Sequence, residues 1–316
     1  MKITTLLLLS LFAVSCASMK KLAISNSVGV FEDGEKALNN ESYYEFIRES
    51  ALANIKTLEA LHYASPEDEE LIALLVKGYA GYSFGVLETE AFSDILLDKL
   101  DSERVEKLKA GYTKAIEFGL LYFKLHGIKQ KELLSLKGMD KVNEEFSDLS
   151  SADKKALFFF AQSLAGIFNL EKQNMFLLGT TPVIVGLMEK VCKKDPDFEN
   201  GACQLFQAVF EATKPTLMGG SIEKANKLFS KTFKANPKNL LNKVTYIQYS
   251  LVPMIDETQY KKYKKELKTA FKDFNRVNNF GELIKAKANY PKELNLFNAI
   301  ASERFKHLIS IENKLF

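Results

Sequence analysis

The side chains best suited to chemistry here are three histidines, three cysteines and several clusters of acids and aromatics, and their spacing limits what each can do. His62, His126 and His307 stand alone, without the HExxH of a zinc protease, the GxSxG of a serine hydrolase or a Cys-His pair. Glu67-Asp68-Glu69-Glu70 sits where a turn meets a helix start, and acids there complement the helix dipole. Gly219-Gly220 before Ser221 shares only its glycines with a phosphate-cradling loop. No Lys-Ser/Thr follows in the P-loop spacing, and a glycine pair opening a capped helix explains the residues. The expectation is a protein that is not an enzyme and holds neither metal nor cofactor.

Binding has more support than catalysis. Successive helical residues point about 100° apart, so Phe158-Phe159-Phe160 spans roughly 200° of a helix surface, more than one narrow core stripe accepts. Two readings account for the run. Either the helix is buried on several sides, or one ring lines an apolar groove. In the second reading Phe159 and Gln162 share the groove with Tyr79 and Tyr82 from an earlier helix and Tyr246 and Tyr249 from a later one. Tyrosine suits such a wall, because its ring is apolar and its hydroxyl can order a ligand head group. Lys261, Lys262, Lys264, Lys265, Lys268 and Lys272 form a basic helix, diluted by Glu257, Glu266 and Asp273. It reads first as a solvated face, with contact to anionic head groups or an acidic partner as the alternatives.

The cysteines divide into one and two. Lys2 precedes the apolar run from Leu6 to Val14, which is about as long as a secretory h-region and too short to span a bilayer. The small residue Ser15 then leads to Cys16. This order describes a bacterial lipoprotein signal over residues 1–15, after which Cys16 is acylated and becomes the new N-terminus. Two or three acyl chains give durable anchoring, since each buried CH₂ contributes about 0.8 kcal/mol. Residues 16–35 then read as a tether and residues 36–316 as the folded body. Cys192 and Cys203 remain. If Asp195-Pro196-Asp197 forms a turn between two helices, they lie about equally far on either side of it and could be bridged; buried free thiols are the other reading.

Composition supports a helical body. The chain is 47% hydrophobic and 26% charged, has seven prolines, and is rich in Leu, Ala, Lys and Glu, so the expected fold is all-α. A net charge of +3 over 316 residues and the absence of tryptophan argue against a nucleic-acid partner. Apolar residues at three- and four-residue intervals predict a helix from Tyr43 to Tyr63, ended by Ser65-Pro66-Glu67-Asp68. Serine there is expected to cap the next helix, from Glu69 to Leu87, with the proline at its first position. Further helices are expected from Ser102 to Leu125, from Ser150 or Ser151 to Leu170, and from Pro182 to Lys193.

These helices read as pairs joined by short turns. Asp195-Pro196-Asp197 and Ala235-Asn236-Pro237 each place a proline after a second helix, as tetratricopeptide repeats do. Aligning Pro237 with the closing proline puts Ala225 and Phe229 at the small and large apolar positions. Aligning Pro196 puts Ile184 and Met188 there, so the small residue is missing and the repeats are degenerate. Each pair must stack on its neighbours to bury its apolar face, giving a compact solenoid or bundle.

Three segments carry a resemblance: Phe160–Ile167, Lys194–Ala202 and, most specifically, Lys214-Pro215-Thr216-Leu217-Met218-Gly219-Gly220-Ser221-Ile222-Glu223-Lys224-Ala225. With the cysteine-terminated signal and the irregular repeats, they make the chain similar to the T-component lipoproteins (TatT) of tripartite ATP-independent periplasmic (TRAP) transporters, over roughly residues 40–275. The family often has tryptophan in the segment like Gln162–Ile167, and this chain has none. The resemblance implies a helical repeat bundle with a cleft for a hydrophobic small ligand, a homotrimer, a periplasmic location, and a partner in the transporter's solute-binding protein. A scaffold for envelope or outer-membrane assembly needs the same anchor and the same concave surface, and is the rival expectation.

Overall fold

The computed structural model describes residue 24 and residues 27–135, 137–216, 219–276 and 290–316. The signal, Cys16, and Leu217 and Met218 of the glycine-pair segment lie outside the described residues. Helix α1 covers residues 27–39. It is followed by α2 (Tyr44–Ala64) and by α3 (Glu69–Glu90), whose stretch Ser83–Leu87 is π-helical. The short α4 (Phe92–Leu96) leads to α5 (Glu103–Leu125), then α6 (Gln130–Leu133), α7 (Gly138–Glu145) and α8 (Ser151–Leu170). Next come α9 (Met175–Gly179), α10 (Thr181–Lys194), α11 (Phe198–Thr213) and α12 (Ile222–Ala235). Helix α13 (Leu240–Tyr246) runs into a second π segment, Ile247–Leu251, before α14 (Glu257–Arg276) and α15 (Asn295–Ile311). Among the described residues no strand occurs, so the fold is all-α.

Side-chain caps set several helix starts. The side chains of Ser102 and Ser221 accept hydrogen bonds from the backbone amides of Val105 and Lys224, and Ser150 and Asp153 cap each other reciprocally. One expectation is corrected. Ser65 closes α2, its amide donating to the carbonyls of Leu61 and His62, and Asp68 caps α3 by accepting from the Leu71 amide at 3.0 Å. A carboxylate suits that place because it meets both the free amides and the positive end of the dipole.

Helix α3 is the spine. By length and composition it could cross a bilayer, yet most of it lies inside the protein, packed on α2, α5 and α8. Helix α8 in turn packs on α5 and α10, while α11 pairs with α12 and α13 with α15. Burial on several sides explains the phenylalanine run. Phe160 turns into the gap left by Gly119, where a β-carbon would stand 2.3 Å from its ring, and Phe158 and Phe159 point elsewhere on the helix. Between α10 and α11 a disulfide joins Cys192 and Cys203, whose Cα atoms are 5.6 Å apart.

The N-terminal boundary also differs from expectation. Residues 27–35, read from sequence as tether, belong to α1, which packs Val28 into the core and pairs Glu32 with Lys155 at 2.5 Å and Glu35 with Lys77 at 2.9 Å. The apolar positions of α1 are few, and the sequence between them is polar. Its docking combines the packing of Val28, Phe31 and Leu38 with ion pairs to distant helices, partners that local periodicity does not reveal.

Candidate functional site

A cavity of about 530 Å³ opens where α1, α2, α3, α8, α11 and α15 converge. Its size falls in the range of small-molecule sites, roughly 300–1,000 Å³. Most of the wall is apolar: Val30 and Phe31 come from α1, Ile55 and Leu58 from α2, Phe158 and Phe159 from α8, Leu205 and Phe206 from α11, and Phe297 and Ile300 from α15. Helix α3 contributes Gly78 and Gly81, and the absence of side chains there helps leave the space open. One edge is ionic. Lys77 reaches both Glu35 of α1 and, at 2.5 Å, Glu199 of α11. Burial acts to lower the Lys77 pKa, but the two carboxylates more than offset it and hold the ammonium above its ordinary value. Glu199 and Asn200 take up the left-handed conformation with φ of 50° and 55°, and Gly201 follows at 88°. This costly turn at the cavity wall is thus tied to α3 by an ion pair.

A second cavity of about 330 Å³ adjoins the first. Glu88, Tyr112, Gly166, Asn169 and Tyr249 line both. Behind this junction Arg304 is fully buried, its guanidinium lying over the rings of Phe84 and Phe92. Arg304 donates from Nε to Thr89 Oγ1 at 3.0 Å, from Nη1 to Glu88 Oε1 at 3.1 Å and from Nη2 to the Phe84 carbonyl. The other oxygen of Glu88 accepts from the Tyr112 hydroxyl at 2.9 Å. Phe84 lies in the π segment of α3 and Tyr249 in that of α13, so both irregular stretches serve this junction. Burial, reinforced by the Glu88 charge, raises the pKa of both Tyr112 and Tyr249, so both phenols stay protonated.

The sequence pattern of the TRAP transporter T-component family matches residues 40–316. The chain belongs to that family. It is also similar to an uncharacterized protein of Treponema pallidum (strain Nichols), 22% identical over 234 residues, 67% of this chain and 70% of the relative. Membership associates this T-component with a TRAP transporter and is consistent with a location in the cell envelope, where such transporters sit. The match extends to residue 316, so α15 and its Arg304 lie within the matched residues.

Of the T-component residues expected to bind ligand, Tyr82, Phe159, Gln162 and Tyr249 line the larger cavity. Tyr79 and Tyr246 lie outside its wall. Tyr79 turns toward α2, donating to Glu59 at 2.5 Å, accepting from Lys56 at 2.9 Å and stacking on Phe118. Tyr246 packs among Phe229, Phe233 and Tyr263. The π segment starts at Ile247, between Tyr246 and Tyr249, and its wider turn sends the two tyrosines to different neighbours. Sequence reasoning missed Glu88, Tyr112, Asn169 and Arg304. The available signal was charge inside apolar sequence, since Glu88 follows Phe84-Gly85-Val86-Leu87 and Arg304 sits in a helix otherwise rich in Ala, Ile, Leu and Phe.

The three histidines are not brought together. His62 rests edge-on against Phe118, where burial lowers its pKa; His126 lies between Glu69 and Glu145; His307 is on α15. Among the described residues no group of three or more His, Cys, Asp or Glu is arranged to hold a metal. On α14, Lys261 pairs with Glu257, Lys264 with Glu312, and Glu266 with Lys243 of α13, so part of the basic face is spent inside the protein. Gly219 has φ of 82° and serves the turn before the Ser221 cap.

Proposed function

We propose that this T-component is a non-catalytic, lipid-anchored accessory of a TRAP transporter on the periplasmic side of a bacterial membrane. It engages the transporter's solute-binding subunit and holds a hydrophobic ligand in the larger cavity. The carrying observation is the cavity itself, about 530 Å³ with a mostly apolar wall, in a chain that belongs to the T-component family. Apolar walls gain from excluding water whatever the shape of the ligand's chain, so they suit a hydrophobic molecule better than a small carboxylate. The acyl anchor at Cys16 would keep the cavity near the membrane, where such molecules reside.

Two measurements test this reading. Metabolic labelling with a palmitate analogue should mark the native protein and fail to mark Cys16→Ser; equal labelling of both removes the anchor. Affinity purification from the native host should recover a TRAP solute-binding subunit. Recovery of envelope-assembly proteins without that subunit would favour the scaffold role and end the transport reading.

A further inference from the structure

We propose that the junction between the two cavities is a head-group site for an amphiphile whose polar end is uncharged, the aliphatic chain lying in the larger cavity. This rests on the hydrophobic-ligand reading above and adds the chemistry of the ligand's other end. The wall changes character at the junction. Phenylalanine and aliphatic side chains give way to Glu88, Tyr112, Asn169 and Tyr249, with Gln248 at the smaller cavity.

Several of these polar groups have no hydrogen-bond partner among the described residues. Gln248 is 4% exposed, and neither its amide oxygen nor its amide nitrogen is hydrogen-bonded to the described residues; Asn169 Oδ1 is buried and equally unpaired among them. The Tyr249 hydroxyl makes no hydrogen bond to the described residues and feels Glu88 only through its charge. Buried polar groups left unpaired are costly, so a ligand that pairs them binds by more than its apolar surface. Donors and acceptors are both on offer, from Tyr249 and the Gln248 nitrogen on one side and from Asn169 and the Gln248 oxygen on the other. A hydroxyl or amide head answers both.

Charge excludes the alternatives. Glu88 presents a carboxylate to the junction, and the adjacent cation, Arg304, is already committed to Glu88, Thr89 and the Phe84 carbonyl and forms no part of either cavity wall. An anionic head would lose its hydration and face Glu88, while Lys172, the cation on the smaller cavity's wall, is solvent-exposed and shares that wall with Asp98. An ammonium head would also lose its hydration, while Arg304 already neutralises the carboxylate.

The test uses the purified protein and N-phenyl-1-naphthylamine, an uncharged apolar fluorophore, displaced in turn by dodecanol, dodecanamide, dodecanoate and dodecylammonium. The uncharged pair should compete at least about tenfold more tightly than the charged pair. Gln248→Leu should narrow that preference to within about threefold. Where circular dichroism shows that this variant does not fold, Tyr249→Phe, which removes one hydroxyl, should narrow it in the same direction. Equal competition by all four, a charged head binding best, or an unchanged preference in the folded variant overturns the head-group site and leaves the apolar cavity standing. Failure of the fluorophore to bind overturns the cavity reading together with it.

Discussion

Arg304 shows how one residue can organise a site it does not enter. Its guanidinium neutralises Glu88 inside the protein, and a buried carboxylate deprived of its partner is far more costly than the pair. Arg304→Met should therefore lower stability by about 3–5 kcal/mol in urea denaturation. A loss within experimental error would mean that Glu88 is satisfied without it. Gly166 acts by absence. A β-carbon there would stand 2.6 Å from the Tyr112 ring, so Gly166→Ala should displace that ring from the junction and cost about 1–3 kcal/mol, read from the same denaturation curves. Neither residue was legible in sequence as part of a site. Tyr82, Phe159, Gln162 and Tyr249 were legible as candidates for a cavity wall, because aromatic and amide side chains on helical sequence announce themselves. A lone buried arginine and a helical glycine acquire meaning only from partners 216 residues distant, as for Glu88 and Arg304, or on another helix, as for Tyr112 and Gly166.

Among the elements, the helices were legible and their irregularities were not. Capping serines and apolar periodicity place α2, α5, α8 and α10 to within a residue or two, whereas a π segment leaves hydrophobic spacing nearly intact and so escapes notice. Helix α1 was missed for the complementary reason, since apolar and ionic partners on distant helices fasten it over the cavity. Lys77→Met removes the bond to Glu35, and amide hydrogen exchange over residues 27–39 should then accelerate while that of α5 stays slow. Unchanged protection would show that apolar contacts alone seat α1. Reduction of Cys192–Cys203 frees a short loop, with a sequence separation of 11, and should cost roughly 3 kcal/mol in the chain-entropy treatment, read as a lower denaturation midpoint. At the C-terminus, hydrogen bonds from Lys264 and Tyr260 hold the Glu312 carboxyl below its usual range. A depressed carboxyl contributes stability that is complete above its unfolded pKa and is lost as pH falls through the folded one. Acidification through that window should therefore release the turn Glu312–Lys314 from α14 and separate the stacked rings of Tyr260 and Phe316. Tyrosine fluorescence or NMR would record the change, and an acid-insensitive stack would contradict it.

At the scale of the molecule, the chain wraps one apolar chamber in helices drawn from both ends of its sequence, with α1 on one side and α15 on the other. The all-α class followed from composition, and the family from a few short segments; the chamber could not, because it exists only where distant helices fail to fill the space between them. In the proposed role, a T-component tethered by Cys16 would hold a hydrophobic ligand beside the membrane and pass within reach of a solute-binding subunit. The most direct measurement is native mass spectrometry of the protein purified with its partners from its own envelope. The account predicts a complex containing a TRAP solute-binding subunit and a bound apolar small molecule. A protein recovered without that subunit and without ligand, or one bound to assembly-machinery subunits instead, would contradict it.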